Sequence, residues 1–338
     1  MSTVIVISGG VGRAIAAIPA LLKYHKNHLD EEWYVMVHGW DFMFWGFPEL
    51  QERTFNPDDK SVFKNYFWNA TKVLSPEPYC LPAYYRNEIS LREAFDIQIN
   101  GSTDEDLPEM QLKLSMTEIR NGHRVIAEAK NQQKKNKTIV IQPYGSAALM
   151  CPLEIYDETL RSIPQKMYLT LVKKLSKDYN IIYMGAKEFY DGKTYKPDPD
   201  PSLRDWAGVI KVADYFIGCD SCGQHFAKAV GQNASVMVAG THKNNTTYPD
   251  TFHIIERDHK FHPDAMRVSQ IQGQLSTRLN EERYMFTDEE IESAYQTIIQ
   301  RIEGEKKVEI NEIEEWKTNL NPPSPGRIQL DQQNLLYD

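Results

Sequence analysis

Two segments of this chain, far apart in the sequence, each begin with an apolar strand that runs into a loop of small residues. The first reads TVIVISGGVGRAIAAIPALLKYH and places a strand at Val4–Ile7, then glycines, then a helix from about Ala14 to His28. The second reads TIVIQPYGSA and occupies Thr138–Ala147. A strand, a small-residue loop and a helix in this order begin a βαβ unit, so the sequence predicts two α/β domains with parallel sheets.

The length of 338 residues also exceeds what one typical core fills and suits two domains. We expect an N-terminal Rossmann-like domain at 1–133 and a second one at 138–285. A C-terminal helix at 286–310 and an extended tail at 311–338 follow. The polar, basic run KNQQKKNK at Lys130–Lys137 has nothing apolar to bury, which is typical of a linker between domains.

Shorter patterns predict individual elements within this frame. AFDIQIN at Ala94–Asn100 alternates like a strand, and TEIRNGHRVIAEAKNQ at 117–132 has the spacing of a helix. Thr287 and Glu290 have the spacing of a capping box, which indicates the start of the C-terminal helix.

Composition narrows the functional classes. The net charge of −9 and the pI near 5.6 disfavour a dedicated nucleic-acid binder, which carries a basic field. No apolar run approaches the roughly 18 residues of a membrane span. Four cysteines are too few for a disulfide framework in a chain of this size, which favours a reducing compartment. We therefore expect a cytoplasmic protein without a transmembrane segment.

The opening loop fails the tests for the two common nucleotide-binding loops. Gly10 and Gly12 allow close approach at the start of a helix, but Ile15 stands where a dinucleotide fold needs Gly or Ala. His38 and Gly39 end the second strand, where that fold needs an acid for the ribose. No Gly-Lys-Ser/Thr follows either, so the loop is shaped for another ligand.

A second signal lies in FIGCDSCGQHFAKAVGQNASVMVAGT, at Phe216–Thr241. Asp220 and Ser221 end a buried strand, and His225 lies one helical turn further on. The unpaired N–H groups at that helix start favour an anion such as a pyrophosphate. Alternatively, Asp220 and Ser221 only cap the helix, and His225 is packed in the core.

The order of these motifs resembles glycosyltransferase family 9, the bacterial heptosyltransferase-like family of GT-B glycosyltransferases. The resemblance spans roughly 4–301 and is strongest in the first 25 residues and in 203–241. It implies two Rossmann-like domains whose parallel sheets face each other across a cleft, with the acceptor on the N-terminal side. It also implies an inverting, metal-independent transfer from a nucleotide-diphosphate sugar to a glycan or glycolipid, with no further cofactor.

One matching motif places the donor. The family's Asp-[Ser/Thr]-Gly-x-x-His, which lies at the donor's pyrophosphate and sugar, corresponds to Asp220, Ser221 and His225. Cys222 stands in the place of the glycine, and Gly223 comes one residue late.

Three further matches surround this motif. The family's Gly-Thr corresponds to Gly240 and Thr241. Arg161 corresponds to the lysine of Lys-x-Trp-Pro, which neutralises donor phosphate. The resemblance puts the strand-end residues near the phosphates as well; they are Tyr144, Gly145 and Ser146.

The chain departs from the family at Arg13, where the family has an aspartate proposed to deprotonate the acceptor hydroxyl. A guanidinium has no acceptor atom and stays protonated, so Arg13 cannot be a general base. Its natural partner is an anion, either a donor phosphate or a phosphate or carboxylate of the acceptor; alternatively, it is solvated. His38, Asp41 and His123 are the candidate bases, of which Asp41 is favoured because it follows the second strand.

Three other functions fit the same residues. A glycosyltransferase that modifies a nucleic-acid base would use Arg13 and Lys130–Lys137 on backbone phosphates. A catalytically inactive nucleotide-sugar-binding relative would explain the missing aspartate. A dehydrogenase with a degenerate Rossmann loop would bind NAD(H).

Overall fold

The structure is a computed structural model that describes residues 2–55, 57–103, 106–152, 154–257 and 284–304. The predicted tail at 311–338 lies outside these residues. The described chain divides into two compact units. The first holds residues up to 113 together with 242–247, and the second holds 114–241, 248–257 and 284–304.

Strands and helices alternate through both units. The strands are β1 Ser2–Ile7, β2 Glu32–Val37, β3 Thr54–Phe55, β4 Ala70–Leu74, β5 Thr138–Gln142, β6 Ala148–Met150, β7 Ile155–Asp157, β8 Asn180–Tyr183, β9 Tyr215–Cys219, β10 Ala234–Met237 and β11 His253–Ile255. The helices are α1 Val11–Asn27, α2 Pro48–Gln51, α3 Pro82–Tyr85, α4 Leu91–Asn100, α5 Met116–Gln133, α6 Gln165–Leu175, α7 Leu203–Val212, α8 Cys222–Ala229, α9 Lys243–Thr246 and α10 Asp288–Gly304. None of these helices has the length and hydropathy that crossing a membrane requires.

The sheet of the first unit has the order β3-β2-β1-β4, and all its strands are parallel. The chain moves from β1 to β2 and β3 on one side, and β4 then pairs with β1 on the other side. In sheets of this kind, ligands bind beyond the carboxyl ends of the two strands at which the direction of winding changes. In this unit those strands are β1 and β4.

The sheet of the second unit has the order β11-β10-β9-β5-β8, again with parallel pairs. Every residue of β5 and β9 is buried, as expected for central strands covered on both faces. The direction of winding changes here between β5 and β9. The predicted α/β alternation is confirmed in both units.

The strand predicted at Ala94–Asn100 is wrong, because these residues belong to helix α4. A complete capping box of Ser90 and Glu93 starts this helix, and Gly101 ends it in the left-handed conformation at φ +86°. The apolar residues that it buries lie at helical spacing and include Leu91, Phe95 and Ile99.

The second unit begins at Leu114, not after residue 133, because helix α5 packs along α7. Two glycines let these backbones approach: a Cβ added at Gly122 would lie 2.5 Å from Gly208 O. The predicted linker Lys130–Lys137 is therefore mostly the last turn of α5 and its exit into β5. Lys137 Nζ lies 2.8 Å from a carboxylate oxygen of Glu303 on α10.

Helix α10 starts as predicted. Glu290 N donates to Thr287 Oγ1 over 3.2 Å, and Thr287 N donates to Glu290 Oε2 over 2.7 Å, which confirms the capping box. The helix buries Ile291 and Ile298 in the core of the second unit.

Candidate functional site

The strand ends at the switch point of the second unit carry the residues of the predicted donor site. Gln142 ends β5, and Asp220 follows the adjacent β9. The loop after β5 returns to the same place, since a Cβ added at Gly145 would lie 3.8 Å from Cβ and Oγ of Ser221. The structure therefore brings Gly145, Asp220 and Ser221 together.

Asp220 is the centre of this cluster and is almost fully buried, with 2% of it exposed. Its Oδ2 accepts hydrogen bonds from Thr241 Oγ1 at 2.7 Å and from Arg161 Nε at 3.1 Å. Its Oδ1 accepts one from Gln224 Nε2 at 2.8 Å. A buried carboxylate needs such partners, and here they come from two other loops and from α8. Asp220 therefore holds the site together instead of capping the helix.

Arg161 lies at the open side of the cluster. Its Nε also donates to Asp220 O at 2.9 Å, and 36% of its side chain is exposed. The two bonds from one nitrogen fix the direction of the guanidinium, so that a positive charge stands next to the start of α8. This is the cation that the sequence predicts for a donor phosphate.

Sequence reasoning missed Gln142, whose side chain contacts the first turn of α8. Gly223 N donates to Gln142 Oε1 at 2.8 Å, and Gln142 Nε2 donates to Ser221 Oγ at 3.2 Å. The Ser221 side chain makes no capping bond. A Cβ at Gly223 would lie 2.4 Å from Gln142 Oε1, so this glycine serves the packing of the chain itself. A polar residue that ends the apolar run IVIQ was the available signal.

A second buried carboxylate, Asp157, shapes the loop that carries Arg161. It accepts hydrogen bonds from the backbone N–H groups of Thr159 and Ser162, both at 2.8 Å, and from both hydroxyls. Gly145 N in turn donates to Ser162 Oγ at 3.0 Å, which links this loop to the loop after β5. The buried carboxylate of Asp157 thus fixes the conformation of the loop that carries Arg161.

Gly240 is required where this loop meets the loop after β10. A Cβ at Gly240 would lie only 2.0 Å from Thr159 O, and Gly240 N donates to Leu160 O at 3.1 Å. Leu160 has φ +53°, a conformation that is unfavourable without a glycine and that concentrates at functional sites.

His225 lies inside the same cluster and is nearly inaccessible to solvent. Its Nδ1 is 2.6 Å from Tyr248 Oη, and the two rings meet edge to face. Burial lowers the pKa of His225 to about 4, so the imidazole is neutral near pH 7. This placement agrees with a packed histidine, and it leaves Arg161 as the cation next to Asp220.

Tyr144 and Ser146, the other two residues of the loop after β5, have different surroundings. The ring of Tyr144 packs edge to face against Tyr168 and Phe189 in the hydrophobic core. The side chain of Tyr144 therefore belongs to the core, and the position of this residue near the phosphates stays a prediction. Ser146 is exposed in the turn that precedes β6.

In the first unit, Arg13 has an anionic partner that belongs to the chain. Its Nη1 lies 2.9 Å from Glu77 Oε1, and its Nη2 lies 3.2 Å from Glu77 Oε2. Only 8% of the Arg13 side chain is exposed, so the solvated alternative is wrong. The side chain also covers the glycine loop: a Cβ at Gly9 would lie 2.5 Å from Arg13 Cδ. The close approach that the loop allows is therefore used by Arg13.

Gly10 and Gly12 belong to the start of α1. Gly10 is the N-cap, and its carbonyl accepts a hydrogen bond from Arg13 N at 2.9 Å. Gly12 lies in the first turn and is partly buried.

The three candidate bases lie in different places. His38 is exposed beyond the end of β2, and Asp41 begins a short 3₁₀ turn at Asp41–Phe44. This segment is tied to the glycine loop, because Trp40 Nε1 donates to Gly9 O at 2.9 Å. His123 is exposed on α5, which belongs to the second unit.

Within the described ranges, no group of three or more His, Cys, Asp or Glu side chains is arranged to hold a metal ion.

The two units, each built on a parallel sheet, together have the GT-B-like fold of glycosyltransferases, as the sequence predicts. A family 9 glycosyltransferase from Veillonella parvula DSM 2008 is similar with a TM-score of 0.59 and 9% identity, over 89% of this chain and 97% of that one. The iron-containing dodecameric glycosyltransferase TibC from enterotoxigenic E. coli H10407 is similar with a TM-score of 0.57 and 12% identity, over 89% and 78%. E. coli heptosyltransferase WaaC, solved with ADP, is similar with a TM-score of 0.50 and 13% identity, over 90% and 98%.

By sequence, no family model and no curated protein matches the chain. At identities of 9–13%, the structural similarity establishes the fold.

Proposed function

We propose that this protein is a glycosyltransferase that moves a sugar from a nucleotide-diphosphate donor to a hydroxyl of a glycan or glycolipid. The observation that carries this proposal is the cluster of Arg161, Asp220 and Thr241 at the switch point of the second unit. It stands beside the N-terminus of α8, within a fold that heptosyltransferases share.

The chemistry of the leaving group explains why such a cluster suits the reaction. Negative charge develops on the diphosphate as the bond to the sugar breaks, and fixed positive groups stabilise that charge. Arg161 supplies a full charge, and the first turn of α8 supplies the positive end of a helix dipole. We infer that these two groups take the place of a divalent cation and that the reaction inverts the anomeric centre. Turnover is then expected to stay unchanged in EDTA.

Similar structures suggest the donor to try first. WaaC was solved with ADP, and TibC was solved in complex with ADP-D-beta-D-heptose. We therefore expect ADP to raise the melting temperature more than UDP, GDP or CDP does in a thermal-shift assay.

A charge-removing variant tests whether the binding uses this cluster. Arg161→Gln is expected to weaken ADP binding about tenfold or more, because a charge-assisted contact to phosphate is lost. Arg124→Gln is the matched control, since Arg124 pairs with Glu128 on the exposed side of α5 in the same unit. The proposal fails if no diphosphate binds, or if both variants bind ADP as the wild type does.

Two alternatives predict different results. An inactive relative would bind the diphosphate and release none from ADP-heptose. A nucleic-acid transferase would need the basic run at Lys130–Lys137, yet Lys135 Nζ donates to Lys177 O and Lys137 Nζ to Ile302 O. Salt-dependent DNA binding would nevertheless favour that function.

A further inference from the structure

The first unit carries a carboxylate at its own switch point. Glu77 follows β4, which pairs with β1 on the side opposite to β2. Arg13 follows β1, in the first turn of α1. The ion pair of Arg13 and Glu77 therefore lies beyond the carboxyl ends of the two strands between which a sheet of this kind binds its ligand.

Glu77 is held in one orientation by its surroundings. Two nitrogens of Arg13 contact its two oxygens, and Tyr79 N donates to Oε1 at 3.2 Å. Its backbone is fixed as well: Gln98 Oε1 accepts from Glu77 N, and Gln98 Nε2 donates to Glu77 O at 2.8 Å. Phe95 and Tyr79 lie under the guanidinium, with ring centroids 5.5 and 5.4 Å from its central carbon.

The carboxylate nevertheless stays open to a further partner. A quarter of the Glu77 side chain is exposed, compared with 8% of that of Arg13. A carboxylate offers about four lone-pair sites, and the structure gives Glu77 three donors. One site thus remains for the O–H of an acceptor.

We propose that Glu77 is the general base of the reaction, with Arg13 as its positioning residue; this inference rests on the proposed function. The acceptor O–H gives its proton to Glu77 while its oxygen forms the new bond to the anomeric carbon. The bond from that carbon to the diphosphate breaks, and its electron pair leaves with the diphosphate. The family resemblance places an acid at position 13. Here the acid is displaced to the neighbouring strand end, and a cation at 13 orients it.

Glu77 and Asp41, the base that the sequence favours, are two different candidates for the same role. Asp41 follows β2, which pairs with β1 on the side opposite to β4. Glu77 lies beyond the ends of β1 and β4, in an ion pair with Arg13. The two carboxylates can be compared directly in one assay.

The assay measures release of ADP from ADP-D-beta-D-heptose with water as the acceptor, because water also loses a proton when it attacks. Glu77→Gln is expected to lower kcat about 100-fold or more, within the range that general base catalysis contributes. The KM for the donor and the Kd for ADP stay within about twofold, because the base does not hold the nucleotide. Glu77→Asp is expected to recover part of kcat. Glu88→Gln is the matched control, since Glu88 forms an exposed ion pair with Arg86 in the same unit.

Glu77→Gln leaves a buried arginine without its partner and can therefore impair folding. A second pair of variants tests the assignment without this problem. Arg13→Met removes the cation and keeps the carboxylate, and Arg13→Met with Glu77→Gln removes both. The single variant is expected to release ADP at least tenfold faster than the double variant. Equal rates in these two folded proteins would overturn the assignment.

The outcomes distinguish this inference from the function on which it rests. If the wild type binds none of ADP, UDP, GDP and CDP, the proposed function fails. If the wild type and Glu77→Gln release ADP at the same rate, only the assignment of Glu77 fails. A larger loss in Asp41→Asn than in Glu77→Gln also overturns it. A wild type that binds ADP and releases none from the donor contradicts the proposed function, and the assignment of Glu77 fails with it.

Discussion

His225 is the residue at which burial and charge conflict most directly in the proposed donor site. The residue is 6% exposed, and its Nδ1 meets the hydroxyl of Tyr248. Burial lowers its pKa to about 4, whereas an unfolded chain has a histidine pKa near 6.5. Between these two values the unfolded chain binds a proton that the folded chain does not, so folding loses stability as the pH falls from about 6.5 to 4.

His225→Asn should remove this part of the pH dependence. Through His225 the folded protein loses about 3 kcal/mol of stability as the pH falls from about 6.5 to 4. Above the pKa of the unfolded chain this loss is absent. Urea unfolding at pH 7.5 and at pH 4.5 measures it, because the drop in the free energy of unfolding should be smaller in the variant. Burial also lowers the pKa of His253, but that residue is present in both proteins and cancels. An identical decrease in the free energy of unfolding in the two proteins would contradict the lowered pKa of His225.

Some residues of the site could be predicted, and others could not, for a physical reason. Asp220 and Ser221 stand at the end of a recognisable buried strand. The partner of Gln142 lies 81 residues away, and that of Arg13 lies 64 residues away. A sequence shows that Arg13 needs an anion, but only the pairing of β1 with β4 shows that Glu77 supplies it.

At the scale of elements, helix α4 is specified by the residues at its two ends. Alternation in AFDIQIN favours a strand, but Ser90 and Glu93 form the capping box of a helix just before it. Gly101 is the corresponding signal at the other end. Start and stop signals therefore outweigh a short alternating run.

The contact of α5 with α7 could not be predicted, because it depends on two glycines that lie 86 positions apart in the chain, at Gly122 and Gly208. Each would place an added Cβ within about 2.5 Å of a backbone oxygen of the other helix, Gly208 O and Glu118 O respectively. Neither glycine has a positive φ, so close packing alone requires them.

Gly122→Leu is expected to separate these helices and to destabilise the protein by at least about 2 kcal/mol, as forced overpacking does. His123→Leu is the control one residue further along α5, where the side chain is exposed and the effect should stay within about 0.5 kcal/mol. Both values follow from urea unfolding curves. Similar stabilities for the two variants would mean that the helices separate at little cost.

At the scale of the whole molecule, the two units repeat one arrangement: a parallel sheet whose winding changes direction beside its first strand. In the first unit the change lies between β1 and β4, and in the second it lies between β5 and β9. The sequence predicts this repetition from the two strand-and-loop starts. It does not predict that α5 joins the second unit, since the helix follows the first unit directly in the chain.

If the two switch points have different ligands, a diphosphate alone should protect only one of them. Amide hydrogen exchange reports local opening, which is lowest where ligand contacts hold a loop closed. With saturating ADP, we expect slower exchange at 144–146, 221–224 and 240–241, where the loops meet around Asp220. Exchange at 9–13, beside Glu77, should stay unchanged, because ADP lacks the acceptor. Arg161→Gln at an ADP concentration that just saturates the wild type should show weaker protection at all three loops together. Protection at 9–13 without protection around Asp220 would instead assign the diphosphate to the first unit.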